Sequence, residues 1–345
     1  MAAGIQPGRR IWDPPAAPAS ARGSLFSGFV SILVVSFALA HVSIAETGKV
    51  GASDGRDDLG QVLNFDTARV SGTIRLDGAY HGVTRLIDKE SGRQLIDPRY
   101  AALNLFKLMS VNLVMGQPRN MDRICLVGTN FAEIRWAATE THRCTLVARY
   151  EVRDAGAIDL TVSVRSLSAY QKYELFLSSY LDRTFEPLVF LKSRNSDAGD
   201  LIQPTINDVF RGCVLVFPRD ANAAQRCLDG RWERKECGVP IVQMCPVRHY
   251  AHCLAILADP GRTKAVLLMA DPRDCYAIST RYHAAADADR LTTYSAFDFS
   301  LFGDDLAPGD ERHARVRLAV TGLDRDFSRP LEIYRAFLEE KGGGR

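Results

Sequence analysis

The chain has 345 residues, 46% of them hydrophobic and 24% charged, with 26 Gly and 15 Pro. That composition excludes collagen-like, low-complexity and wholly disordered classes. Residues 1–45 carry Arg9, Arg10 and Arg22 against Asp13, which accounts for the whole formal charge of +2 and leaves residues 46–345 neutral overall. With no surplus positive charge beyond the leader, neither nucleic acid nor an anionic membrane is an expected partner.

Leu25–Val42 is an apolar run, LFSGFVSILVVSFALAHV, preceded by Arg22 and followed by Ser43-Ile44-Ala45. Small residues at Ser43 and Ala45 stand where a signal peptidase reads, so residues 1–45 are expected to be a signal peptide cleaved after Ala45. The run approaches the ~20 residues that span a bilayer, but His41 and the small-residue exit favour cleavage over anchoring. The expected localisation is export, to the periplasm or outside the cell, with no membrane association after cleavage. Residues 46–60 are Gly/Asp-rich and read as a flexible segment leading into one domain over residues 61–341.

From there the dominant period is two. Val70, Gly72, Ile74 and Leu76 alternate with polar neighbours, as do Ile158, Leu160, Val162 and Val164, and Ala314, Val316, Leu318 and Val320. Each set reads as a strand with one buried face. Asp88–Gly92, Asp154–Gly156, Asp259–Arg262 and Asp271–Asp274 place Asp, Pro or Gly between apolar runs, as tight turns require. Ala101–Val114 fits either a helix or a buried strand. Ser328–Lys341 reads as a helix, with Ser328 as cap, Pro330 in the first turn, and Leu331, Tyr334 and Leu338 on one face. The expected fold class is all-β, a large antiparallel two-sheet sandwich with a short C-terminal helix. No glycine-rich phosphate loop follows a strand and no Gly-x-Ser-x-Gly elbow occurs, which argues against nucleotide-binding and serine-hydrolase chemistry.

Eight cysteines follow the leader. In an exported chain an even count permits disulfides, and Cys213, Cys227, Cys237, Cys245, Cys253 and Cys275 are the candidates, with the pairing left open. Cys245 to Cys253 also encloses His249 and His252, but that spacing matches no standard zinc site. Neither a metal nor a cofactor is expected.

Tyr80-His-Gly-Val-Thr-Arg-Leu-Ile-Asp-Lys-Glu-Ser-Gly92-Arg-Gln-Leu resembles the opening hairpin of the galactose-mutarotase-like β-supersandwich, a fold of many carbohydrate-active proteins. Phe299–Asp310, followed by the strand ARVRLAV, resembles their closing strands. Together the two stretches cover about a tenth of the chain. The resemblance implies a sugar-related protein. The Asn-His-x-Tyr-Phe-Asn-Leu motif of mutarotases is missing here, so none of their catalytic residues is carried over, and epimerase activity is not implied.

The densest polar-aromatic cluster is Arg248-His249-Tyr250-Ala-His252. On a strand, Arg248, Tyr250 and His252 share a face and His249 takes the other. His249, His252 and Tyr250 are the catalytic candidates, since imidazole titrates near neutrality and can move a proton at a sugar hydroxyl. Arg248 suits a carboxylate; Tyr282 and His283, ending another strand, are candidate ligand contacts beside it. Trp232, in a polar loop bracketed by Cys227 and Cys237, is a candidate sugar-stacking residue, whereas Trp136 in FAEIRWAAT reads as core. His81, His142 and His313 read as structural or solvent-facing histidines. Asp182 and Glu186 are a further candidate acid pair, although carboxylate separation is set in space rather than in sequence.

The function expected is recognition of a poly- or oligosaccharide by an exported β-sandwich. One alternative is a carbohydrate-active enzyme of the same fold, a polysaccharide lyase, glycoside hydrolase or sugar epimerase; another is a structural or assembly module of the cell envelope.

Overall fold

The structure is a computed structural model that describes residues 61–111, 113–203, 213–221, 223, 243–244, 249–282 and 294–340, with backbone alone for 213–216, 243–244 and 281–282. The chain divides into two units, Met1–Arg56 and Asp57–Arg345, and every described residue lies in the second. The expected signal peptide therefore lies outside the described residues, and so does the segment 46–60.

Twenty strands, a single 3-10 turn at Pro118–Asn120 and a C-terminal α-helix are the elements named among the described residues. In chain order the strands are β1 Val62–Asp66, β2 Val70–Arg75, β3 Gly82–Asp88, β4 Arg93–Gln94, β5 Asn104–Ser110, β6 Leu113–Gly116, β7 Arg123–Val127 and β8 Phe131–Trp136. There follow β9 Cys144–Arg153, β10 Ala157–Ser166, β11 Tyr170–Leu181, β12 Glu186–Leu191, β13 Asp200–Ile202, β14 Cys213–Pro218 and β15 Gln243–Met244. The last are β16 Tyr250–Ala258, β17 Lys264–Ala270, β18 Cys275–Tyr282, β19 Ser295–Leu306 and β20 Glu311–Gly322, and the C-terminal helix is α1, Ser328–Glu339. The all-β sandwich with a short C-terminal helix is thus the observed fold.

Three sheets form. The nine-stranded sheet runs β13-β12-β16-β17-β20-β10-β9-β8-β7, the seven-stranded sheet β15-β14-β18-β19-β11-β5-β6, and the opening meander β1-β2-β3-β4. All pairs are antiparallel except β14 with β15. The read strands appear where alternation placed them: Ile158 to Val164 lies opposite Leu318 to Arg312 in the β10–β20 ladder. The turn at Asp88–Gly92 closes β3 onto β4, and Gly92 takes the left-handed conformation (φ 68°) that the turn requires. Ala101–Val114, ambiguous in sequence, is strand: it supplies β5 and the first half of β6.

The core lies between the two large sheets, where Leu160 and Leu318 of the nine-stranded sheet share one apolar cluster with Leu177 and Phe299 of the seven-stranded sheet. Trp136 is buried at 1% exposure, and its indole N–H donates to the Pro118 carbonyl at 3.0 Å. A side chain with that polar handle is buried only where a partner is found.

The helix departs from its expected cap. Phe327, not Ser328, is the N-cap, in left-handed conformation (φ 58°) and without a side-chain bond. Asp324 does the capping instead, accepting the Ser328 hydroxyl at 2.5 Å and the Arg329 N–H at 2.9 Å. Its buried stripe is Leu331, Tyr334 and Phe337. Tyr334 docks the helix on β16, where its hydroxyl oxygen accepts the Cys253 N–H at 3.2 Å.

Candidate functional site

Along β11 two faces separate. Tyr173, Leu175, Leu177 and Leu181 enter the main core, while Glu174, Phe176, Ser178 and Tyr180 take the opposite face by alternation. The neighbours match: Phe297, Phe299 and Leu301 of β19 are core, leaving Ala296, Asp298 and Ser300 on the other side. In β5 a register shift between Phe176 and Leu177 accommodates Phe106 as an extra residue. Asn104, Lys107 and Met109 consequently share the face of Ser178, Phe176 and Glu174.

This face carries a polar row that crosses four adjacent strands. Asn104 of β5 pairs with Ser178 of β11, which pairs with Asp298 of β19, which pairs with Ser279 of β18. All four are buried, at 3% exposure or less. Ser279 donates to Asp298 at 3.3 Å, and one strand-step away Ser300 donates its hydroxyl to Glu174 at 2.6 Å. Asn104 makes no hydrogen bond with either amide atom, and the Ser178 hydroxyl makes none. Buried polar groups are nearly always satisfied, and leaving one unpaired costs about 1–3 kcal/mol. Strand spacing sets these groups about 4.8 Å apart, so the row presents amide, hydroxyl and carboxylate in an even line.

Aromatic side chains flank the row. Tyr180 packs with Tyr80, Tyr100 and Tyr294 in a cluster with ring centroids 4.7 to 6.2 Å apart. On the other side Phe176 lies 6.2 Å from Phe106, over whose ring sit the Lys107 ammonium and the Arg119 guanidinium, each 5.3 Å from the centroid. Hydroxyl, amide and carboxylate groups between aromatic faces can bind a polyhydroxylated ring, with hydrogen bonds at its rim and C–H contact on its faces.

None of these residues was a sequence candidate. A signal did exist: Glu174 in YELFLSSYL and Asp298 in SAFDFSLF are each a carboxylate set between two apolar or aromatic neighbours within a strand. Sequence alternation treats a polar position in a strand as solvent-facing, and that hid two carboxylates which tertiary packing buries.

The sequence candidates are placed as follows. Tyr250 is buried and its hydroxyl donates to the Cys275 carbonyl at 2.8 Å; burial pushes its pKa well up. His252 bonds the Ala198 carbonyl through Nε2 at 3.0 Å and packs against Phe190 and Tyr334; burial first, and the nearby Arg335 charge, lower its pKa despite that bond. His249 bonds the Pro218 carbonyl through Nδ1 at 3.1 Å. The three thus engage three different carbonyls rather than one centre. Tyr282 ends β18 opposite Cys213, with only its backbone described. Arg248, Trp232 and His283 lie outside the described residues, as do Cys227, Cys237 and Cys245 and the side chain of Cys213.

Cys253 and Cys275, both disulfide candidates, are free thiols here, as are Cys125 and Cys144. Cys253 and Cys275 are fully buried; the Cys275 thiol donates to the Ala277 carbonyl at 3.3 Å, and burial pushes the Cys253 pKa well above the ordinary thiol value. Asp182 and Glu186 do not pair with each other: Arg93 binds the first at 3.3 Å and Arg262 the second at 3.2 Å. Among the described residues no group of three His, Cys, Asp or Glu is placed to hold a metal ion, and no helix is long and apolar enough to cross a membrane.

No family model matches the chain, and no curated protein matches it. Solved structures do. A galactose mutarotase-like protein from Lactobacillus casei is similar at 9% identity, over 75% of this chain and 100% of that one, with a TM-score of 0.45. A galactose mutarotase related enzyme from Lactobacillus acidophilus is similar at 10% identity, over 75% and 97%, with a TM-score of 0.46. A heparan sulfate lyase from Pedobacter heparinus is similar at 6% identity, over 74% of this chain and 34% of that one, with a TM-score of 0.39. All three TM-scores lie under 0.5, and a likeness at that distance says nothing of chemistry.

Proposed function

We propose that this chain is an exported protein whose sandwich recognises a poly- or oligosaccharide on the polar face of the seven-stranded sheet. The observation that carries the reading is the buried row Asn104–Ser178–Asp298–Ser279, whose Asn104 amide and Ser178 hydroxyl have no protein partner. A hydroxyl-rich ring satisfies both, and the tyrosine cluster and Phe106–Phe176 give its apolar faces somewhere to lie. The test is binding of the protein to a broad panel of oligo- and polysaccharides. Specific binding is expected, and Asp298→Asn or Asn104→Ala is expected to weaken it about tenfold or more, the worth of one or two hydrogen bonds. Silence across the panel would overturn the reading and leave an envelope assembly module as the alternative.

A second reading is catalytic. Glu174 and Asp298 are two buried carboxylates on one face, each held by a serine hydroxyl, and general acid–base chemistry on a sugar uses such groups. Incubation with the bound saccharide separates turnover from binding. The candidates His249, His252 and Tyr250 are tested beside them: His249→Ala with His252→Ala, in a protein that still folds, leaves turnover unchanged if the carboxylates act alone. Export rests on the leader, and N-terminal sequencing of the mature protein is expected to begin at Glu46.

A further inference from the structure

We infer that the chain pairs with a second copy of itself along the flank where both large sheets end, β7 of one copy lying antiparallel to β7 of the other. Six of the seven large apolar side chains that stand exposed among the described residues gather there: Val111, Leu113 and Val114 on β6 and its turn, and Ile124, Leu126 and Val127 on β7. Leu113 is 70% exposed and Ile124 73%. β6 is the last strand of the seven-stranded sheet and β7 the last of the nine-stranded sheet. The link between them, residues 117–122, is fastened to both sheets. The Pro118 carbonyl accepts the Trp136 indole N–H of β8 at 3.0 Å, and the Arg119 guanidinium lies 5.3 Å from the centre of the Phe106 ring of β5. The two edges therefore share one flank of the sandwich.

An edge strand offers its outer row of N–H and C=O groups to another strand, and natural sheets guard that row with charge, proline or a bulge. β7 reads Arg-Ile-Cys-Leu-Val, with its one charge at the first residue, and it pairs with β8 without a register shift. The Gly128 N–H donates to the Phe131 carbonyl at 2.8 Å, which makes those two residues a hydrogen-bonded pair of the hairpin. Such pairs alternate along an antiparallel ladder. Leu126 and Ile124 thus bond across to β8, while the main-chain groups of Arg123, Cys125 and Val127 point outward. Among the described residues those outward groups bond nothing.

The strand fits a copy of itself. Centred on Cys125, antiparallel pairing sets Arg123 against Val127 and Ile124 against Leu126 on both sides of a two-fold axis. The outward groups of Arg123, Cys125 and Val127 then bond reciprocally, and the two Arg123 charges stand at opposite ends. Ile124 and Leu126 meet on the solvent face as apolar cross-strand pairs. The six exposed side chains present on the order of 500 Å² on each copy, so two copies bury about the 1,000 Å² at which a specific interface begins. That self-match, and not apolarity alone, selects a second copy as the occupant.

The test is sedimentation velocity of the purified chain at concentrations up to about 100 µM, read together with amide hydrogen exchange. A dimer is expected, with the Arg123, Cys125 and Val127 amides gaining protection as concentration rises. Leu126→Asp places a carboxylate on both sides of the axis and is expected to weaken association about a hundredfold or more. Leu167→Asp, at the exposed leucine outside β6 and β7, is expected to leave it unchanged. Ile124→Lys takes the place of Leu126→Asp if that variant does not fold. Ile124→Cys combined with Leu126→Cys, oxidised with diamide, is expected to run as a covalent dimer on a non-reducing gel. Residues two apart on one strand face the same way and cannot bridge each other, whereas the axis sets 124 of one copy against 126 of the other. A monomer throughout the range, association that survives the charged substitution, or a dimer whose β7 amides exchange as freely as the monomer's would overturn the interface.

Discussion

At the scale of single residues, burial decides what each titratable group can do. His81 is fully buried, and its Nε2 accepts the Leu105 N–H at 3.2 Å. A protonated ring would lose that bond, and desolvation first, then the Arg123 charge, take its pKa from 6.5 down to about 3. His142, bonded to the Tyr173 hydroxyl at 3.0 Å, is taken by burial to about 4. Both histidines are neutral in the fold and regain their ordinary affinity for protons when it opens. Their contribution is therefore complete above pH 6.5 and is lost as pH falls from 6.5 toward 3 to 4. Denaturant midpoints are expected to fall steadily across that window, and to fall less in a His142→Gln variant. A midpoint flat between pH 7 and pH 4 would contradict this account.

At the scale of elements, the C-terminal helix is pinned by charge as well as by its apolar stripe. Asp159 of β10, 2% exposed, accepts from Arg317 of β20 at 2.5 and 2.8 Å, and Arg317 also reaches Glu340 after the helix at 2.7 Å. Burial would raise the Asp159 pKa, but Arg317 and Arg153 hold it below the carboxylate range. Removing one partner of a buried pair leaves the other uncompensated. Arg317→Ala is thus expected to cost about 3–5 kcal/mol, whereas Arg312→Ala, whose side chain is exposed, costs less than about 1 kcal/mol; chemical denaturation measures both. Gly303 tests the β18–β19 pairing. It sits at φ 80°, and a Cβ there would stand 2.3 Å from the Tyr276 ring. Gly303→Ala is expected to destabilise by about 1–3 kcal/mol. The thiols of Cys253 and Cys275, fully buried between the sheets, are expected to react with a thiol reagent only after unfolding.

At the scale of the whole molecule, the sandwich is a device for turning alternation into two kinds of surface. β17 leads into β18 and β19 into β20 across the gap between the two large sheets, so chain-neighbouring strands lie on opposite sides of the core. A strand read from local alternation shows its period but not its sheet. The hairpin at Asp88–Gly92 was legible because its turn is local; that the same Asp88 meets Lys264, 176 residues away, was not.

The sequence by itself determined what depends on near neighbours. Alternation marked the strands around Ile74, Leu160 and Leu318, Asp and Gly marked the turns, and the apolar spacing after Ser328 marked the helix. The all-β class follows from these because side-chain period is a property of the local backbone. The polar row was decided only in tertiary structure. Asn104, Ser178, Asp298 and Ser279 come from four strands spread over nearly 200 residues, and register alone sets them side by side. The cluster at His249–His252 pointed the other way: close in sequence, its side chains are turned to three separate carbonyls by the strand and by the helix docked on it. Nearness in sequence fixes conformation, whereas chemistry needs convergence in space, and here convergence is made by sheet register and burial.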